Sequence, residues 1–227
     1  MLVKEWMSTK VVTIDSGSPL QEAINLLMEH NISMLPVMED GRMVGIVTDR
    51  DVKRASPSDA CLLDFQNIMY HVARKEVGSI MSKPPITVTL DHTIEETAEV
   101  LLQNGISGAP VVDEQGVIKG IITKDDLFSA LISLSGLSHK GVLFGFQLED
   151  QPGSIKEVTD AIRACSGRLA SIVSTYETAP QGHRYVYIRA FDLDAESIAK
   201  LQEEFNQKGI LLFKVDLSNN KREFFRN

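Results

Sequence analysis

The chain lacks any apolar run approaching the roughly 18 residues that a membrane-crossing helix needs. Its first residues, Met1-Leu2-Val3-Lys4-Glu5-Trp6, show no apolar core leading to a small-residue cleavage site. Both features lead us to expect a cytoplasmic protein. Cysteine is scarce: Cys61 and Cys165 stand far apart without metal-ligand spacing, and read as packed or partly exposed thiols. The histidines His30, His71, His92, His139 and His183 are scattered, so no metal site is expected. A basic tract is missing too. Lys and Arg number 23 against 31 Asp and Glu, a net charge of -8, which argues against tight nucleic-acid binding. There is no Gly-Lys-Ser/Thr phosphate loop, no Gly-x-Gly-x-x-Gly and no visible nucleophile–base–orienter set. The expectation is therefore a non-enzyme with no required cofactor.

What is present is repetition. The 227 residues, 43% hydrophobic, suit one large domain or two small ones. Val12-Thr13-Ile14 matches Ile86-Thr87-Val88, and the segment from Asn31 to Val37 matches Gly105 to Val111. The segment from Gly45 to Val52 matches Gly120 to Leu127, with a one-residue shift at the turns around Gly41 and Gly116. Each copy reads strand, helix, strand, strand, helix. Ser18-Pro19 is expected to open the first helix, Ser18 as N-cap and Pro19 as first helical residue. Leu20, Ala23, Ile24, Leu27 and Met28 then share a face, as do Ile94, Ala98, Leu101 and Leu102. The last helix of the second copy carries Leu127, Ala130, Leu131 and Leu134 on its apolar side. Neither copy is large enough to bury much core alone, so two should pack together around a shared cleft.

The pattern changes after the small-polar linker 136–141. Strands over 142–148, 169–176, 184–191 and 210–215 alternate with two helices, the first ending at Gly167 and the second at Gly209. The order βαββαβ implies a sandwich of one four-stranded antiparallel sheet and two helices, with 218–227 as a tail.

Thr48 and Asp51, with counterparts Thr123 and Asp126, carry the most information about chemistry. A threonine three residues before an aspartate, across a strand-to-helix turn, places both polar groups at one helix start. The carboxylate can accept two hydrogen bonds from adjacent ribose hydroxyls, and the threonine and free N–H groups can face a phosphate. Plain N-capping explains the same residues. Arg50 can grip a phosphate in forked geometry or simply be a solvated charge, and its counterpart is Asp125. Lys10 and Lys83 are weaker phosphate candidates.

On these motifs, Gly-Ile-Val-Thr-Asp-Arg-Asp and Ser-Gly-Ala-Pro-Val-Val-Asp, residues 3–134 resemble a tandem pair of cystathionine-β-synthase (CBS) domains, a Bateman module. Through Leu148-Glu149-Asp150-Gln151-Pro152-Gly153-Ser154-Ile155, residues 142–217 resemble an ACT domain. The order CBS–CBS–ACT is similar to acetoin-utilisation (AcuB-type) proteins. The implied divisions are 1–56, a helical connector 57–76, 77–135, the linker, the ACT domain and the tail. The resemblance implies a regulatory protein that binds an adenosine nucleotide in the CBS cleft. Thr48, Arg50 and Asp51 would act with Lys83, Pro84, Ile86, Ile106, Ser107 and Gly108. Thr123 and Asp126 would act with Thr9, Lys10, Val12, Ile32, Ser33 and Met34. Met34 replaces the small residue that Gly108 supplies, so its site should be crowded and the site around Arg50 favoured. Asp150, Pro152, Gly153, Ser154 and Ile155 would form an amino-acid-type effector site, or merely a turn that starts a helix. A homodimer, a regulated protein partner, and no membrane or nucleic-acid partner are also implied. The alternative is a constitutive dimerisation scaffold indifferent to nucleotide.

Overall fold

The computed structural model describes residues 1–55 and 75–225. The expected helical connector 57–76 falls almost wholly outside the described residues, as do Cys61 and His71. By contact density the chain divides into Met1–Phe128 and Ser129–Asn227.

In the first unit the repeat is realised twice. The first copy runs β1 (Ile14–Asp15), α1 (Leu20–Glu29), β2 (Met34–Glu39), β3 (Arg42–Thr48) and α2 (Asp49–Ala55). The second runs β4 (Val88–Thr89), α3 (Ile94–Gln103), β5 (Gly108–Val112), β6 (Ile118–Thr123) and α4 (Lys124–Leu134). Each sheet has three strands, ordered β1-β2-β3 and β4-β5-β6, with the first pair parallel and the second antiparallel. Asp40 and Gly41 both take positive φ in the first hairpin turn, the geometry that matches strand twist in a tight hairpin.

Burial follows the helical period over only part of each expected stripe. Leu20, Ala23 and Leu27 are buried, as are Ile94 and Leu101, but Met28 is 77% exposed and its equivalent Leu102 72% exposed. Leu131 and Leu134 of α4 are exposed as well. These four depart from the expected core faces, because the period-3.6 stripe is wider than the surface that the sheets cover.

The start of α1 also differs from expectation. Pro19 is the N-cap, in extended backbone, and Leu20 is the first helical residue. The Leu20 N–H donates to the Lys75 carbonyl at 2.7 Å, so a distant backbone group does the capping that Ser18 was expected to do. In the second copy Thr93 caps α3 within a full capping box with Glu96.

That Lys75 contact belongs to a reciprocal exchange. The leading segment of each copy docks on the other copy. Val3 N–H donates to the His92 carbonyl at 2.9 Å, and Ser8 pairs in both directions with Ile121. Correspondingly, Val77 N–H donates to Ser18 O at 2.9 Å, and Ser82 pairs with Ile46. Val3 and Val77 are both fully buried, and Val77 packs in the core formed by Ile14, Leu20, Leu35, Val37 and Val47. Gly45 and Gly120 admit these crossings. A Cβ there would lie 2.9 Å from Ser82 O and 2.7 Å from Ser8 O respectively.

The second unit runs β7 (Val142–Glu149), α5 (Ser154–Ala164), β8 (Arg168–Thr175), β9 (His183–Phe191), α6 (Ala195–Gln207) and β10 (Leu211–Asp216). This is the expected βαββαβ order. The expected tail supplies one more strand, β11 (Lys221–Phe224), so the antiparallel sheet has five strands ordered β11-β10-β7-β9-β8. Phe144, Phe146, Ile162, Ile188, Leu201 and Phe205 fill the core between sheet and helices. Helix α6 ends at Gly209 as expected, with φ +65°. Helix α5 does not end on Gly167: Ser166 takes the left-handed position at φ +61°, and Gly167 N–H donates to Ile162 O one residue later. Ser135 to Gly141 is a built segment. Buried Arg189 donates from Nε to the Ser135 carbonyl at 2.8 Å, and Ser171 donates to the same oxygen at 2.8 Å.

Candidate functional site

The two Thr-x-x-Asp motifs fold identically. Asp51 Oδ2 accepts from Thr48 N–H at 2.9 Å and from its hydroxyl at 2.7 Å, while Asp51 N–H donates back to Thr48 Oγ1 at 3.2 Å. Asp126 Oδ2 accepts from Thr123 N–H and hydroxyl at 2.7 Å each, with the return bond at 3.4 Å. Each motif is thus a capping box in which threonine and aspartate orient one another. One oxygen of each carboxylate does all this work. Among the described residues no hydrogen bond occupies Oδ1 of Asp51 or Asp126. Capping and ligand binding therefore do not compete for the same atom: the box uses one carboxylate oxygen and leaves the other.

The Ile-Ser segments join the same construction. Ser33 O accepts from Asp49 N–H at 3.1 Å, and Ser107 O accepts from Lys124 N–H at 2.9 Å. Each anchors the first turn of the helix in its own copy.

Each box borders a cavity lined by both copies. One, of about 210 Å³, brings together Thr48, Arg50, Asp51, Pro84, Ile86, Ile106, Ser107 and Gly108. The other, of about 450 Å³, brings together Lys10, Val12, Ile32, Ser33, Met34, Thr123 and Asp126. Each box therefore shares its cavity with residues of the other copy. Thr9 and Lys83 are exposed and do not line these two cavities, although Ser8, Lys10, Ser82 and Pro84 beside them do. Sequence reading missed Ser8 and Ser82, the bridge residues of the exchange, and Arg54, one turn beyond Arg50. It also missed Lys124. The first copy reads Asp49-Arg50-Asp51 and the second Lys124-Asp125-Asp126, so both cavities have a cation at the helix start, in adjacent positions of the motif.

Met34 behaves differently from expectation. It lines both cavities, and its Cε lies 2.8 Å from where a Cβ on residue 108 would stand. Its bulk therefore narrows the cavity around Arg50 and Gly108, and the cavity around Asp126 is the larger of the two.

In the second unit Gly153 is the N-cap of α5 at φ +97°. Ser154 Oγ accepts from Arg184 at 3.3 Å, and Asp150 Oδ1 accepts from the Tyr176 hydroxyl at 3.3 Å and faces Arg184 Nε at 3.7 Å. Pro152 lies in the turn and Ile155 packs on the core. Among the described residues Arg184 Nε is buried with the Asp150 ion pair and no hydrogen-bond partner. Nothing local in the sequence marks Arg184, which reaches the loop from β9.

Among the described residues no cluster of three or more His, Cys, Asp or Glu could hold a metal ion, and no helix is long and apolar enough to cross a membrane.

The CBS domain profile matches residues 3–58 and 77–133. A CBS domain-containing protein of Dictyostelium discoideum is 32% identical over 135 residues, 59% of this chain and 93% of that protein. The inosine-5'-monophosphate dehydrogenase of Korarchaeum cryptofilum is 35% identical over 118 residues, 52% of this chain but 22% of the enzyme. Among solved structures, protein MJ1225 of Methanocaldococcus jannaschii, described as a candidate archaeal homologue of g-AMPK, superposes with a TM-score of 0.52 at 28% identity. That superposition covers 57% of this chain and 47% of MJ1225. With two matched repeats, and a relative aligned over nearly its whole length, the chain belongs to the CBS domain family.

Proposed function

We propose that the protein is a regulatory sensor whose paired CBS units bind an adenosine nucleotide, with the cavity at Thr123 and Asp126 as the principal site. The observation that carries this is the pair of oriented carboxylates, each with one oxygen held by its capping box and the other left for a ribose diol. Apolar residues such as Val12 and Ile32 would take the adenine, and Lys10 and Lys124 a phosphate. At about 450 Å³ the Asp126 cavity falls in the usual range for small-molecule sites, roughly 300–1,000 Å³, whereas the Arg50 cavity, at about 210 Å³, does not until Met34 moves. The protein is proposed as a non-enzyme. An amino-acid-type effector at the loop Asp150–Ile155 is a further part of the proposal, supported by the buried Nε of Arg184 beside it. The link to acetoin metabolism rests on domain order alone.

Thermal melts with AMP, ADP and ATP test the reading, since a ligand that binds only the folded state must raise the melting temperature. Asp126→Ala should abolish most of the rise and Asp51→Ala should leave it nearly unchanged. If none of the three nucleotides shifts the melt, the reading fails.

A second reading, a nucleotide-indifferent dimerisation scaffold, draws support from Met28 and Leu102, large apolar side chains exposed at equivalent positions of α1 and α3. It expects a dimer whose dissociation constant is unchanged by saturating nucleotide.

A further inference from the structure

The two cavities of the first unit share a wall. Among the described residues only Met34 and Ser107 line both, and of the two Met34 is buried while Ser107 is exposed at the rim. Met34 and Gly108 hold equivalent positions in the two copies. Each lies directly across its hairpin from the threonine of its own box: Met34 pairs with Thr48, and Gly108 with Thr123. The fold brings these two positions face to face, since a Cβ on residue 108 would stand 2.8 Å from Met34 Cε. The junction has room for one side chain, and Met34 supplies it.

A side chain at the junction of two repeats meets similar surroundings on either side. Thr48, Ile86 and Ile106 line one cavity, and their equivalents Thr123, Val12 and Ile32 line the other. Methionine is unbranched, with three rotatable bonds, and strand side chains commonly take either of two χ1 wells. Met34 can therefore turn toward either cavity without moving β2, which is tied into its sheet along both edges. In this structure it is turned toward Gly108, leaving about 210 Å³ beside Asp51 and about 450 Å³ beside Asp126. Turned the other way, it would open the first cavity with space taken from the second.

We propose that Met34 makes the two cavities alternates: a nucleotide in one sends the methionine into the other, so the chain holds one nucleotide at a time. This rests on the adenosine-nucleotide reading and adds a linkage between its two sites. The exclusion is reciprocal, because each ligand binds tightly to only one setting of the same side chain. The cavities offer different cations, Lys10 and Lys124 in one and Arg50 and Arg54 in the other. Two nucleotides that favour different cavities then compete without touching, and the setting of Met34 follows their ratio.

The test uses the full chain with AMP as probe and the methionine methyl groups isotope-labelled for NMR, the Met34 signal being assigned by its loss in Met34→Leu. Calorimetry should find a single equivalent of AMP on the unsubstituted protein. Asp126→Ala disables the larger cavity and should divert AMP, bound more weakly, to the smaller one. The Met34 methyl should then resonate at a different position from the one it holds in the AMP complex of the unsubstituted protein. Adding Met34→Ala to Asp126→Ala should tighten AMP about tenfold, because no side chain has to be displaced. The methyl measurement keeps Met34 in place, so it stands even where Met34→Ala costs too much stability. The proposal is overturned if the unsubstituted protein takes up two equivalents, if the methyl resonates identically in the two complexes, or if Met34→Ala leaves the AMP affinity of Asp126→Ala unchanged. Each of those results spares the nucleotide reading, whereas a melt unmoved by AMP, ADP and ATP overturns both.

Discussion

Met34 is 5% exposed in β2, and its methyl occupies the space that a side chain on residue 108 would need. Gly108 is closed in from a second direction, since its Cβ would also stand 2.7 Å from the Ile122 carbonyl. Gly108→Ala should therefore cost about 1–3 kcal/mol, seen as a lower urea midpoint at unchanged slope. Met34→Ala would not rescue it fully, because the backbone clash stays. Alone, Met34→Ala should cost about 2–5 kcal/mol for the lost packing. It should nevertheless enlarge the Arg50 cavity, so that calorimetry finds a second equivalent of nucleotide per chain where the unsubstituted protein binds one. Unchanged stoichiometry would show that Met34 is not what closes that site.

Among the described residues of the first unit, helix starts are secured in three ways. The boxes at Thr48 and Thr123 serve the sites, Thr93 and Glu96 cap α3 in the usual reciprocal fashion, and α1 relies on the Lys75 carbonyl. Hydrogen bonds from Thr93 hold the Glu96 carboxyl below its ordinary range. A depressed carboxyl contributes stability that is present above its unfolded value and lost as pH falls through its folded value. The stability gap between the protein and Glu96→Ala should accordingly close in acid, read from urea midpoints at pH 7 and pH 3. A gap that persists at pH 3 would assign it to packing or propensity. The capping pattern Thr93-x-x-Glu96 is written locally, as are the Thr-x-x-Asp boxes. The cap of α1 is not, because the acceptor, Lys75, lies far along the chain, just ahead of the second copy. For the same reason β11 was read as a tail: Lys221–Phe224 has no strand pattern of its own, and it pairs because β10 offers an open edge and Lys214 a partner for Glu223.

At the scale of the whole first unit, neither copy is self-contained, because each lends its leading segment to the other. Val3 and Val77, fully buried, are the anchors. Truncating either to Ala removes two buried methyl groups and should cost about 2 kcal/mol. Because Val77 packs in the core of the first copy, Val77→Ala should raise amide exchange in α1 and β2 at least as much as in α3 and β5. Exchange raised only in the second copy would mean that the two copies unfold independently.

The amino-acid sequence alone determined the duplicated strand–helix order, the Thr-x-x-Asp boxes, the apolar Ile-Ser segments opposite them and the βαββαβ order of the second unit. Those depend on residues within a few positions of one another, where spacing and side-chain chemistry suffice. Only the tertiary structure decided which cavity is larger, since that turns on where the flexible Met34 side chain lies. Tertiary contact likewise supplied Lys124 as the second cation and placed Arg184 against the loop at Asp150. Each of these brings together residues far apart in sequence, and such distances are set by packing, which no local pattern records.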